Sequence, residues 1–358
     1  MKINLSFAEA TRLALRDALS DDPAVRVFGL GVPDPKGVFG TTSGLSQEFG
    51  PDRVFDIPLS ENAVTGVALG MAMNGLRPIM NHQRADFAFT SMEQIVNQVA
   101  KLDYTTNGAF KARLVIRMIV GRGWGQGPTH AQSPHALYAL VPGLRVVAPA
   151  TPEDAYWLLR QSIEIDDPVI FIEHRWLHNI TSEVNLDRPS YGITDSVILS
   201  QGTDLLLITF SYGVMEALRV EGILKNLGIN ITILNLRSLS PLDEREIIYL
   251  ARKFKQIVIL DSSHSKFGIS AEILSLISED AERPIGQICF RIGNRFEPTP
   301  SAPLLAKSHY PQIATIITQI VNNFVLNVDR TRLEELIKVE EGSNTYFDQP
   351  VIGSVGPF

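Results

Sequence analysis

One cysteine, Cys289, is the chain's whole complement, which rules out an internal disulfide and any cysteine metal cluster. It sits in the apolar stretch 287–292, which predicts a buried strand residue. No apolar run approaches the roughly 18 to 20 residues that a membrane-spanning helix requires, so a soluble protein is expected. The opening residues mix charged and apolar side chains and lack the unbroken apolar core of a secretory signal, which makes the cytoplasm the expected location. Basic charge is in deficit, with 32 Lys and Arg against 39 Asp and Glu and a net charge of −7. With no basic stripe, nucleic acid is excluded as a partner. Phosphate-binding loops are missing too. The glycine-rich stretch Gly121-Arg-Gly-Trp-Gly-Gln-Gly127 fails the G-x-G-x-x-G count from each starting glycine, because Gln126, Pro128 and His130 fall at the third position. A Gly-Lys-Ser/Thr step is also absent.

The 358 residues that are there suit two α/β domains better than one or three. Ser6 and Glu9 have capping-box spacing before an apolar helix face at Ala10, Leu13 and Ala14. Short apolar runs at 25–31, 77–80, 113–120, 145–148 and 169–172 read as buried parallel strands, and Thr151, Pro152 and Glu153 open a helix. The theme repeats at 205–210, 231–236 and 257–261, with helices from Gly213, Asp243 and Gly268. The expected organisation is therefore two doubly wound α/β domains, 1–190 and 196–327, joined by a polar linker at 176–193. An extension, 328–358, reads as either disordered or a clasp on a partner; Leu333, Leu336, Ile337, Tyr346, Phe347 and Phe358 are the anchors that predict ordering against another subunit.

Three residues follow three different strands. Glu61 falls in the first turn of a helix, where the macrodipole favours a carboxylate. The small residues Gly66 and Gly70 farther along predict a tight helix crossing. Phe87 and Phe89 precede a helix that Thr90 and Glu93 open with capping-box spacing, and His130 ends the glycine-rich loop. Ligands in open parallel sheets sit where strands end and helices begin, so the three side chains can meet at one sheet edge. A helix-start acid, a core phenylalanine and a surface histidine remain the plain alternatives.

The ordered set Asp52-Arg-Val-Phe-Asp-Ile-Pro-Leu-Ser-Glu61, Gly75-Leu-Arg-Pro78, the stretches 84–101 and 127–149, Asp167-Pro-Val-Ile-Phe-Ile-Glu-His174 and Asn235-Leu-Arg-Ser-Leu-Ser-Pro-Leu-Asp243 resembles a known family. That family is the beta subunit of the decarboxylase component of 2-oxoacid dehydrogenase complexes, of pyruvate, branched-chain and acetoin type. The resemblance covers about residues 5 to 325 and implies a thiamine-pyrimidine-binding domain followed by a transketolase C-terminal-like domain. It implies thiamine diphosphate as cofactor, with Leu59, Glu61, Gln83 and Phe87 around it. Glu61 would exchange a proton with N1′ of the aminopyrimidine and so promote ionisation of thiazolium C2, Phe87 would stack on that ring, and His130 would lie on the substrate side with Arg84. No Gly-Asp-Gly occurs in this chain. The resemblance therefore implies an alpha-type partner carrying that motif and most of the hold on the diphosphate and Mg²⁺, in an α2β2 assembly that can serve a lipoyl-bearing acyltransferase.

Departures from the family are local. Gly29-Leu-Gly-Val-Pro-Asp-Pro-Lys36 replaces the usual Gly-Glu-Asp-Val, and Ile165 stands where some relatives place an Asp at a potassium site. Gln83 and Arg84 stand where relatives often carry apolar residues, which suggests a polar pocket for an anionic or hydroxylated substrate. Two other functions compete with 2-oxoacid decarboxylation: a split transketolase-like transfer on sugars, favoured by Arg84, and a non-catalytic assembly role, disfavoured by the intact Glu61, Phe87 and His130.

Overall fold

The computed structural model describes residues 1–122, 125–324, 326 and 328–342. Fourteen strands are described. They are β1 Lys2–Ser6, β2 Val25–Gly29, β3 Val54–Phe55, β4 Arg77–His82, β5 Val115–Val120, β6 Arg145–Val147, β7 Val169–His174, β8 Thr181–Asn185, β9 Val197–Ser200, β10 Leu205–Thr209, β11 Ile231–Asn235, β12 Ser238–Ser240, β13 Gln256–His264 and β14 Ile288–Asn294. A seven-stranded sheet runs β12-β6-β7-β5-β4-β2-β3 and a five-stranded sheet β14-β13-β10-β11-β9. Both are parallel except for one edge strand each, β12 against β6 and β9 against β11. Burial on both faces explains why the central strands read as continuous apolar runs. In β5, Ile116, Met118 and Val120 feed one core while Val115 and Ile119 feed the core on the opposite face.

The helix starts follow the sequence signals. Ser6 and Glu9 form a complete capping box on helix Phe7–Asp21, and Thr151 forms one with Asp154 on helix Pro152–Glu164. The Thr90 and Glu93 spacing does not. Thr90 donates to the Phe87 carbonyl (2.8 Å), and the chain passes through a 3-10 turn, Phe89–Ser91, into a π-helical stretch, Gln94–Val99. Nor is 176–193 an open linker. Trp176 and Leu177 are buried, and β8 pairs antiparallel with β1, closing the amino-terminal strand onto the end of the first domain. Cys289 lies in β14 as expected but is only half-buried; the burial it has pushes its thiol up to about 12.

The two sheets are locked together. One apolar core contains residues of β5, β6 and β7 along with Leu206, Ile208 and Leu234 from the second sheet and Phe210 just after β10. Asp154, which caps its own helix, also accepts from Arg237 Nε (2.8 Å) and Asn235 Nδ2 (3.0 Å), and Arg237 donates to the Gly192 and Asp195 carbonyls. Arg122 is paired with Glu216 (2.6 Å) and stands over the rings of Trp176, Tyr212 and Tyr310 at 4.9, 5.3 and 4.5 Å. Leu333, Leu336 and Ile337 of helix Arg330–Gly342 pack on their own second domain, with Arg219 bonded to Glu340, so these three anchors are used within the chain. Tyr346, Phe347 and Phe358 lie outside the described residues.

The first sheet has an unusual polar brace. Arg117, 1% exposed on β5, donates to Asn81 Oδ1 on β4 (2.5 Å) and to Glu173 Oε1 on β7 (2.5 Å), and Asn81 Nδ2 donates to the Phe28 carbonyl on β2 (3.0 Å). Burial alone would raise the Glu173 pKa, but the charge of Arg117 and the neighbouring His178 outweigh it and hold the pKa below the usual carboxylate value. Removing one member of such a pair strands the other, so Arg117→Met or Glu173→Gln should each cost about 3 to 5 kcal/mol in urea unfolding, and the double change Arg117→Met/Glu173→Leu should recover most of it. Single losses under about 1 kcal/mol would show that the brace is not needed. Because the folded pKa of Glu173 is depressed, its contribution is complete above the unfolded value near 4.5 and fades as pH falls through the lower folded value. Wild type should therefore lose stability more steeply than Glu173→Gln in that acid range.

Candidate functional site

The brace sits near the carboxyl ends of β2, β4, β5 and β7, one to three residues before the last residue of each strand. At Gly29 a Cβ would come 2.3 Å from the Asn81 carbonyl oxygen, so only glycine lets β2 run this close to the brace. Beyond it the chain turns, with Gly31 N–H donating to Asp56 Oδ1 (3.0 Å) and Gln83 Nε2 to the Leu30 carbonyl (3.0 Å). Gln83 thus ties the loop after β4 to the loop after β2.

Glu61 is the first residue of helix Glu61–Met73, which lays Val64 and Ala68 on Phe28 and Met80. Ser60 precedes it without a side-chain cap bond. The half-buried Glu61 carboxylate has no hydrogen-bond or ion-pair partner among the described residues. Leu59, two residues before it, is 77% exposed. Of the two small residues on this helix, Gly66 faces Gln94, whose Oε1 would lie 3.3 Å from an added Cβ, whereas Gly70 faces open space.

Phe87 lies in the one-turn helix Ala85–Ala88, where Arg84 is the N-cap residue and its carbonyl accepts from the Phe87 amide (3.2 Å). The Phe87 ring meets the His130 ring edge to face, with centroids 5.6 Å apart and planes at 90°. Gln132 Nε2 donates to Asp86 Oδ1 (2.8 Å), which fixes the loop after β5 onto this segment, and Thr129 Oγ1 lies 3.0 Å from His130 Nδ1. That loop is also seated on the second domain, since a Cβ at Gly127 would overlap the Ser301 hydroxyl. Phe87 and His130 are therefore brought together. No hydrogen bond or ring contact among the described residues joins Glu61 to either of them.

Several groups here were not singled out by sequence reasoning. His82 and His135 are held neutral, each pushed down to about 4 by burial, and His174, lowered by burial and then by the nearby Arg122, stacks on Tyr212 at 4.9 Å. Arg175 follows β7 directly and stands over the Phe39 ring at 4.8 Å, with Arg84 over the same ring at 5.7 Å. The adjacent His174-Arg175-Trp176 run at a strand end was the available signal.

An aminopyrimidine needs a carboxyl group to share a proton with one ring nitrogen and an aromatic ring to cover its face. Glu61 and Phe87 fit those needs. A diphosphate with magnesium needs a cage of carboxylates or amides, and no group of three His, Cys, Asp or Glu able to hold a metal occurs among the described residues.

Residues 4–179 match the transketolase pyrimidine binding domain and residues 195–316 the transketolase C-terminal domain. The chain is 34% identical to the 2-oxoisovalerate dehydrogenase subunit beta of Bacillus subtilis (strain 168), over 85% of this chain and 93% of that one. It is 36% identical to the pyruvate dehydrogenase E1 component subunit beta of the same organism, over 77% and 86%. Among solved structures, a split gene transketolase in its inactive beta4 tetramer superposes with a TM-score of 0.73 at 20% identity, over 90% of this chain and 99% of that one, and shares the fold. With two matched domains in this order and a third of its residues shared with these relatives over most of its length, the chain belongs to the beta subunits of the thiamine-diphosphate-dependent 2-oxoacid dehydrogenase E1 components.

Proposed function

We propose that this chain is the pyrimidine-activating half of a two-chain enzyme that decarboxylates a 2-oxo acid oxidatively, with an alpha-type partner supplying the diphosphate and Mg²⁺ cage in an α2β2 assembly. The observation that carries this reading is the unengaged Glu61 carboxylate at a helix start, on the sheet edge that also presents Phe87 against His130. When bound, thiamine diphosphate supplies the nucleophilic carbon and the electron sink through which a 2-oxo acid loses carbon dioxide. Glu61 holds and returns a proton at N1′ of the aminopyrimidine. Phe87 covers that ring, and Gln83 and Leu59 border it. His130, fixed at its edge by Phe87 and through its loop by Gln132 and Asp86, is placed to hold or deliver a proton on the substrate side. Passing the acyl unit to a lipoyl-bearing acyltransferase is the expected next transfer.

Two measurements test this. Without the partner's cage, the chain with Mg²⁺ should bind thiamine diphosphate at least about a hundredfold more weakly than the reconstituted pair, equivalent to about 3 kcal/mol. Tight stoichiometric binding by this chain alone would show an internal diphosphate site and end the two-chain reading. In the reconstituted pair, Phe87→Ala should weaken cofactor binding about three- to tenfold, the worth of one aromatic stack. Unchanged affinity would remove Phe87 from the ring site.

A further inference from the structure

A cleft of about 620 Å³ opens beside the candidate site between Lys36, Phe39, Ser43, Gln83 and Arg175. None of the described residues that line it is acidic. Phe39, in its wall, is held at φ 51°, in the left-handed region that costs a bulky residue energy. Two guanidiniums stand over its ring, Arg84 at 5.7 Å and Arg175 at 4.8 Å. Both arginines are more than nine-tenths buried, at 5% and 8% exposure. Neither side chain has a hydrogen bond or an ion pair among the described residues, and Arg84 Nη1 and Arg175 Nε are buried with no partner.

The nearest acids are committed elsewhere. Asp86 accepts from Gln132, and Glu173 is bound by Arg117. Burial lowers the Arg84 pKa to about 10, with the like charge of Arg175 adding to the effect. Burial likewise lowers that of Arg175. Two adjacent desolvated cations over one ring gain less from that ring than they lose in hydration, so the arrangement calls for an anion. Position gives that anion a role. Arg84 heads the turn that carries Phe87, and an added Cβ on Gly121, where the loop to His130 begins, would lie 3.1 Å from Arg175 Cβ and 3.6 Å from Arg84 Nη1.

We infer that Arg84 and Arg175, with Lys36 at the mouth, form an oxyanion-binding pocket for the far end of the substrate, so that this enzyme takes substrates with a second anionic group remote from the reacting carbonyl. Guanidinium donors match a carboxylate or a phosphate with paired hydrogen bonds. That the anion belongs to a substrate rests on the decarboxylase reading; the pocket itself does not.

The test starts with the full-length chain and three probes, glutarate, inorganic phosphate and the uncharged glutaramide, followed by calorimetry without cofactor or turnover. At least one oxyanion should bind and glutaramide should not, and Arg175→Gln should weaken binding at least about tenfold, the worth of one bond to a charged group. Glutarate ahead of phosphate points to a dicarboxylic substrate, and the reverse order to a phosphorylated one. The unliganded Arg175→Gln chain should melt at or above the wild-type temperature, because it loses an unpaired charge. Failure of both oxyanions to bind, binding indifferent to Arg175→Gln, or a clear drop in the variant's melting temperature would each overturn the pocket. In the reconstituted pair, Arg175→Gln should lower kcat/KM at least about tenfold for a 2-oxo acid with a terminal carboxylate and leave an uncharged-chain analogue unchanged. Equal losses on both would overturn the assignment to substrate. Oxyanion binding in a pair that decarboxylates no 2-oxo acid would keep the pocket and refute the decarboxylase reading.

Discussion

Arg117 is the residue on which the placement of the site depends. It carries a charge into the middle of an otherwise largely apolar parallel sheet, where its two terminal nitrogens are engaged by Asn81 and Glu173. Those contacts join β4, β5 and β7, and Asn81 extends them to β2. Each of these strands ends within a few residues of the brace, and each then delivers one part of the site: residues 30–44 after β2, Gln83 to Phe87 after β4, the loop to His130 after β5 and Arg175 after β7. Apolar packing alone would tolerate small slips between strands. A buried, geometrically demanding ion pair resists them, because a slip would strand a charge.

The second domain contributes by holding the first in place. Asp154 closes its own helix and grips Arg237 and Asn235, while Arg122 enters an aromatic enclosure shared by Trp176, Tyr212 and Tyr310. The motif Asn235-Leu-Arg-Ser-Leu-Ser-Pro-Leu-Asp243 thereby acquires a physical meaning. Its Asn and Arg bind Asp154, its Ser238–Ser240 segment adds an antiparallel edge to the first sheet, and Asp243 accepts from Ser196 at the start of the second unit.

What the sequence disclosed depended on the range of the interaction involved. Strand runs and helix caps are local, so Ser6 with Glu9 and Thr151 ahead of Pro152 were readable, and so was the succession of two α/β units. Thr90 and Glu93 show the limit: the spacing is right, but the backbone there winds as 3-10 and π turns instead. The pairing of β1 with β8 is hidden for a similar reason, since 181–185 is polar and its partner lies at the other end of the domain. In sequence Arg117 looks like a polar interruption of an apolar strand and Arg175 like a polar strand end. Only the fold shows that one is neutralised and the other is not.

Glu61 is proposed to act by exchanging a proton with the cofactor's aminopyrimidine ring. Glu61→Gln keeps the size of the side chain and a hydrogen bond but removes the exchangeable acid. The direct measurement is hydrogen-deuterium exchange at thiazolium C2 in the reconstituted pair, with thermal stability followed alongside. General acid-base catalysis of this kind contributes about 10² to 10⁴ in rate, so exchange should slow by that factor while the melting temperature holds. Wild-type exchange in a well-folded Glu61→Gln pair would contradict that role for Glu61.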